Sequence, residues 1–108
     1  MTESREPDDP DASDASPRAV VTRVLDIVNS KGLHARASAR FVLTVEKFDA
    51  DVKVTRNGET VGGDSIMGLM MLSAGPGTKI VVEATGNEAL QAVEALDALV
   101  ASRFGETD

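Results

Sequence analysis

The chain predicts a two-layer α+β open sandwich of order βαββαβα, with four strands in one layer and three helices on one face of it. Two observations carry the prediction. Four short segments alternate apolar and polar residues with a period of two, and three others repeat apolar residues every three or four positions. Strands of the alternating kind bury one face, and three amphipathic helices are available to cover it. The length of 108 residues suits one small domain with its own core.

Residues 1–17 stand apart from that domain. They hold Glu3, Glu6, Asp8, Asp9, Asp11 and Asp14 against Arg5 alone, so five of the seven net negative charges lie there and two on the rest. An acidic, proline-containing stretch without large apolar side chains cannot offset its ordering entropy, so a disordered tail is expected over 1–17 and the domain over 18–108.

The first strand is read from Ala19 onward in a β-branched run, with Leu25 and Ile27 on one face and Thr22, Val24 and Asp26 on the other. After a loop from Asn29 to Leu33, a helix is expected over about 35–47. Its two apolar rows, Ala39, Val42 and Leu43 and then Ala37, Phe41, Val45 and Phe48, make a broad stripe. The next two strands flank Asn57-Gly58, the strongest short signal for a two-residue hairpin, and are therefore antiparallel neighbours. Gly62-Gly63-Asp64-Ser65 breaks the second of them and offers Ser65 as an N-cap for a helix of about two turns, 66–73. Gly75-Pro76-Gly77 ends that helix and a fourth strand follows over 78–85. Gly86-Asn87 is expected to cap a last helix running to about Phe104, its apolar set being Ala89, Leu90, Val93, Leu96, Leu99 and Val100.

Composition removes whole classes of function. With no cysteine there is no disulfide scaffold, zinc-thiolate site or thiol chemistry. No apolar run is long enough to cross a membrane and no signal peptide is evident, so a cytoplasmic protein without membrane insertion is expected. Aromatic residues are 3% of the chain and the basic residues are scattered, which argues against nucleic acid as a partner. A monomer needing no cofactor is the expectation.

One residue stands out chemically. His34, the sole histidine, lies at or next to the start of the first helix, where unpaired backbone N–H groups and the positive end of the macrodipole suit phosphate. A neutral imidazole is a nucleophile, Gly32 permits close backbone approach, and the Arg36 guanidinium lies within reach of a phosphoryl group on His34. A metal site fails for lack of further ligands. Serine-hydrolase chemistry fails because no Gly-x-Ser-x-Gly elbow exists and no acid is placed to orient the imidazole. Gly62-Gly63 and Gly75-Pro76-Gly77 lack a P-loop's lysine and hydroxyl and are turns.

The short helix carries a second signal. It is apolar almost all round; Leu69 and Leu72 share one arc while Ile66, Met67 and Met70 share the other, and one arc is expected to be exposed as a Met-rich docking patch. Gly68 is costly inside a helix, by about 1 kcal/mol relative to alanine. Phosphorylation of Ser65 would place about two negative charges beside that patch without unfolding the domain.

Gly32-Leu33-His34-Ala35-Arg36, the Asn57-Gly58 hairpin, Ser65 to Leu72 and Gly75-Pro76-Gly77-Thr78 together resemble HPr, the histidine-containing phosphocarrier family of the phosphoenolpyruvate-dependent phosphotransferase system, over about 20–104. The resemblance implies an antiparallel sheet and a carrier rather than an enzyme with a small substrate. It implies that His34 takes a phosphoryl group on Nδ1 from enzyme I and gives it to an EIIA-type domain, with Arg36 assisting. Ser65 matches the serine phosphorylated by HPr kinase/phosphorylase, and Ile66, Met67 and Met70 match partner contacts. Two departures are visible: Ala37 stands where many members have proline, and the acidic tail lies outside the pattern. The His-Ala-Arg-Ala-Ser run looks proteobacterial, leaving sugar transport and a nitrogen-related regulatory branch both open. The rival reading is a regulatory binding protein in which the Ser65 state, not relay through His34, carries the information.

Overall fold

In the computed structural model, residues 19–106 are described; the expected acidic tail at 1–17 lies outside them. The elements are β1 (Val21–Asp26), α1 (Ala35–Val45), β2 (Asp51–Arg56), β3 (Glu59–Gly62), α2 (Ile66–Met71), β4 (Lys79–Thr85) and α3 (Ala89–Ala101), followed by a turn at Arg103–Gly105. This is the open-faced α+β sandwich that the sequence predicts.

The four strands form one sheet in the order β1-β4-β2-β3, antiparallel throughout. Alternation decides its faces: Leu25, Val52, Val54, Ile80, Val82 and Ala84 are buried while Thr22, Val24, Asp26, Lys53 and Glu83 are exposed. Asn57 and Gly58 both have positive φ, 52° and 80°, as a two-residue turn matched to strand twist requires. Beyond the turn the Thr55 and Thr60 hydroxyls meet at 2.8 Å. On the covered face α3 packs on β1 and β4, α2 packs beside β3, and α1 packs against both helices. Phe41, Ile27, Leu69, Leu96 and Phe104 lie fully buried between the layers.

Several helix boundaries differ from expectation. The first helix ends at Val45, because the amides of Lys47 and Phe48 bond three residues back, to Thr44 and Val45, and tighten the last turn. Its apolar stripe is narrower than the pattern suggests, since Leu43 is 60% exposed. The second helix likewise closes with i−3 bonds at Leu72 and Ser73, and Ser73 is left-handed at φ 52°. Asn87 does not cap the last helix: it donates to the Asp49 carboxylate at 2.8 Å, while Glu88, the residue at the cap, accepts from the Asp49 amide. These two side chains tie the α1–β2 loop to α3 instead. Leu90, counted among that helix's apolar face, is exposed.

The largest departure is at the end of α3. The helix stops at Ala101 rather than near Phe104, because Arg103, Phe104 and Gly105 are successively left-handed, with φ of 60°, 56° and 75°. Two non-glycine residues in that region are uncommon and unfavourable on their own. Burial of the Phe104 ring and a hydrogen bond from Arg40 Nη1 to the Phe104 carbonyl hold them there.

Candidate functional site

His34 is the N-cap of α1. Its backbone is extended, its carbonyl accepts from the Ser38 amide at 2.9 Å, and its Nδ1 accepts from the Arg36 amide at 3.3 Å. An N-cap normally presents a side-chain oxygen to such an amide. Here an imidazole nitrogen does so, which aims Nδ1 at the positive end of the helix.

The loop before α1 is pinned from three sides. Ser38 is buried and its hydroxyl donates to the Leu33 carbonyl at 3.1 Å. The Leu33 amide donates to the Ala74 carbonyl at 2.9 Å. Gly32 is left-handed at φ 61°, and a Cβ there would lie 2.2 Å from the Ala74 oxygen, so only glycine permits this approach of the loops before α1 and after α2.

An open cavity of about 560 Å³ fronts His34, with Lys31, Arg36, Arg40 and Glu106 among its walls. Three cations and one carboxylate thus surround the imidazole, and Arg36 does share its space, as the sequence suggested. Lys31 and Arg40 were not singled out from the sequence, and neither residue type is a signal on its own.

The expectation that no acid is placed to orient the imidazole is wrong. Glu106 Oε2 lies 2.5 Å from His34 Nε2, with the two side chains 13% and 28% exposed. The left-handed turn at Arg103–Gly105 redirects the chain out of the helix and so delivers this carboxylate, 72 residues from its partner. Asn29, fully buried, holds the other oxygen: its Nδ2 donates to Glu106 Oε1 at 3.0 Å and to the Gly32 carbonyl at 2.9 Å. Both partners are acceptors, so the amide must face them with its NH2, which leaves Asn29 Oδ1 buried without a hydrogen-bond partner among the described residues.

Ser65 lies outside this cavity. It is the N-cap of α2, its Oγ accepting from the Gly68 amide at 2.9 Å. Gly68 has a steric reason there, since a Cβ would come within 3.0 Å of both Ser65 Oγ and Val61 Cβ. Leu69 and Leu72 are buried, whereas Ile66, Met67, Met70 and Met71 are exposed, Met67 at 71%. One arc of the helix is therefore uncovered in the described residues, as its pattern predicted. The loop that follows α2 reaches the histidine, because Ser73, Ala74 and Gly75 border a second cleft beside Lys31, Leu33 and His34. Among the described residues no group of three metal-ligating side chains occurs, and no helix is long and apolar enough to cross a membrane.

A histidine at a helix N-terminus on an open-faced sandwich, in a cation-lined cavity, defines a phosphoryl carrier that works through a histidine. It is not an enzyme with a small-molecule substrate. Residues 21–102 match the family model described as the PTS HPr component phosphorylation site, and the chain belongs to the HPr family. The phosphocarrier protein HPr of Cupriavidus necator is 46% identical over 87 residues, 81% of this chain and 98% of that protein. That of Neisseria meningitidis is 48% identical over 82 residues, 76% of this chain and 92% of that one. Among solved structures, HPr-C-His from Thermoanaerobacter tengcongensis superposes with a TM-score of 0.78 at 36% identity, covering 82% of this chain and 99% of that one. HPr from Bacillus anthracis gives 0.73 at 38%, covering 77% and 99%.

Proposed function

We propose that His34 is the phosphoryl acceptor of this carrier, that Nδ1 is the atom that bonds phosphorus, and that Arg36 steadies the transferred group. The observation that carries the reading is the cap itself: the chain's one histidine presents Nδ1 to the Arg36 amide at the head of α1. That hydrogen bond is long and exposed, so attack exchanges it. Nδ1 bonds to phosphorus, the donor's bond to phosphorus breaks with its electron pair staying on the donor, and the freed amide donates to a phosphoryl oxygen. The guanidinium of Arg36, on the wall of the same cavity, supplies charge for the oxygens.

The donor in this reading is phosphorylated enzyme I and the acceptor is an EIIA-type domain, both docking on the uncovered arc of Ile66, Met67 and Met70. Ser65 is the regulatory position. A phosphate there would cap α2 and set negative charge beside the arc, weakening docking by repulsion and desolvation. The relay, not the Ser65 state alone, carries the function, since the cap geometry and the cation-lined cavity have no role in a purely regulatory binding protein.

Incubation with enzyme I and phosphoenolpyruvate tests the acceptor. A phosphate that is acid-labile and alkali-stable is expected on the wild-type chain and not on His34→Ala; labelling that persists in the variant overturns the assignment. Comparing His34→Ala with Ser65→Asp in cells tests the rival, which requires His34→Ala to leave the output intact.

A further inference from the structure

We infer that Glu106 is a positioning residue for phosphoryl transfer: its carboxylate, held by Asn29, binds the Nε2 proton of His34, keeps Nδ1 as the ring's lone pair and faces the charge the ring acquires on phosphorylation. The inference rests on His34 being the acceptor. The imidazole has a partner at each nitrogen. The Arg36 amide can only donate, so Nδ1 must accept; an ionised carboxylate can only accept, so Nε2 must donate. One neutral tautomer satisfies both, the one whose lone pair lies on the helix side of the ring.

The carboxylate is itself fixed. Asn29 Nδ2 bridges Glu106 Oε1 and the Gly32 carbonyl, within the loop that carries His34. Phe104 is buried and its carbonyl is held by Arg40, so the segment delivering Glu106 is anchored two residues away. Amide, carboxylate, imidazole and reacting nitrogen form a chain in which each group orients the next, the arrangement by which an acid makes a histidine a better base or nucleophile. The family match spans residues 21–102 and so stops short of Glu106.

The step balances without moving a proton. Nδ1 gives its lone pair to phosphorus, the donor's bond to phosphorus breaks, and the ring keeps its Nε2–H while taking on positive charge. Glu106 faces that charge from the opposite edge of the ring. Lys31 from the loop and Arg36 and Arg40 from α1 line the same cavity and attract the incoming phosphoryl anion despite the carboxylate. On donation to the next protein the Nδ1–P pair returns to nitrogen and the ring leaves neutral, its tautomer preserved for the next cycle.

The test is rapid-quench transfer from phosphorylated enzyme I to the full chain, comparing wild type, Glu106→Gln and Glu106→Ala, with thermal melts and long-range 1H–15N spectra of the ring. Glu106→Ala is expected to accept phosphate more slowly by roughly tenfold or more, the scale seen when a partner orienting a metal-bound histidine is removed. Glu106→Gln, which keeps an oxygen acceptor without the charge, recovers part of that loss. The wild-type spectrum shows protonated Nε2 with a slowly exchanging ring proton, and the alanine variant loses that slow exchange. Rates within twofold of wild type, or faster ones, in Glu106→Ala overturn the inference, as does a wild-type ring protonated on Nδ1. Labelling that persists in His34→Ala would instead remove the acceptor assignment beneath it.

Discussion

Gly32→Ala should be among the most damaging single-methyl additions in the domain. Gly32 is left-handed, and forcing alanine into that conformation costs about 1 kcal/mol. Space costs more. The new Cβ would sit 2.2 Å from the Ala74 oxygen and 2.8 Å from the Gly75 Cα, and both are backbone atoms that no rotamer change can move. The loops must separate by more than an ångström, which breaks the 2.9 Å bond from the Leu33 amide to Ala74 and leaves a buried group unpaired, at about 1–3 kcal/mol. Leu33, now 5% exposed, loses part of its packing as well. Together these give about 3–5 kcal/mol, a large share of the stability of a domain this size. Urea unfolding at equilibrium measures it, and Gly58→Ala is the control. Gly58 has positive φ too but no atom within 4 Å of a new Cβ, so it should cost only about 1 kcal/mol. A Gly32→Ala loss within 1 kcal/mol of the Gly58→Ala loss would refute the argument that close approach, rather than backbone conformation, fixes glycine at 32.

Arg36→Ala should slow phosphoryl acceptance by His34 with little change in melting temperature, because the side chain is exposed on the cavity wall; a rapid-quench time course beside a melt checks both. Ser65→Ala removes the Oγ that accepts from Gly68 and should cost about 1 kcal/mol in urea unfolding. Transfer from enzyme I should continue in that variant. Met67→Asp should leave stability within about 0.5 kcal/mol, since the side chain is 71% exposed, yet weaken docking of enzyme I in a calorimetric titration. Phe41→Ala, in contrast, empties a fully buried site on α1 and should cost about 3–5 kcal/mol.

The parts of this molecule legible in its sequence are those set by local rules. Alternation in Val52 to Val54 and Ile80 to Ala84 reports which face of the sheet is wet, and Asn57-Gly58 reports a hairpin because such a pair adopts two successive positive φ angles at little cost. Leu69 and Leu72 against Ile66, Met67 and Met70 likewise reported a helix covered on one side. Where local signals competed with distant partners they failed. Asn87 and Glu88 look like ordinary cap material, but Asp49, 38 and 39 residues away, claims both side chains. No periodicity encodes that claim.

The histidine site divides along the same line. His34, Gly32 and Arg36 lie within five residues, so their cooperation is a matter of helix-start geometry and is readable from spacing. Asn29 and Glu106 are 77 residues apart, and their meeting depends on three left-handed residues after α3, two of which, Arg103 and Phe104, belong to types that seldom adopt that conformation. The apolar run into Phe104 reads as more helix, and a continued helix would carry Glu106 onward along its axis instead of back to the imidazole. Burial of the Phe104 ring and the Arg40 bond to its carbonyl decide between those paths, and both are tertiary facts. The sequence therefore shows the histidine and conceals the acid beside it, because a turn held by tertiary contacts brings the two together.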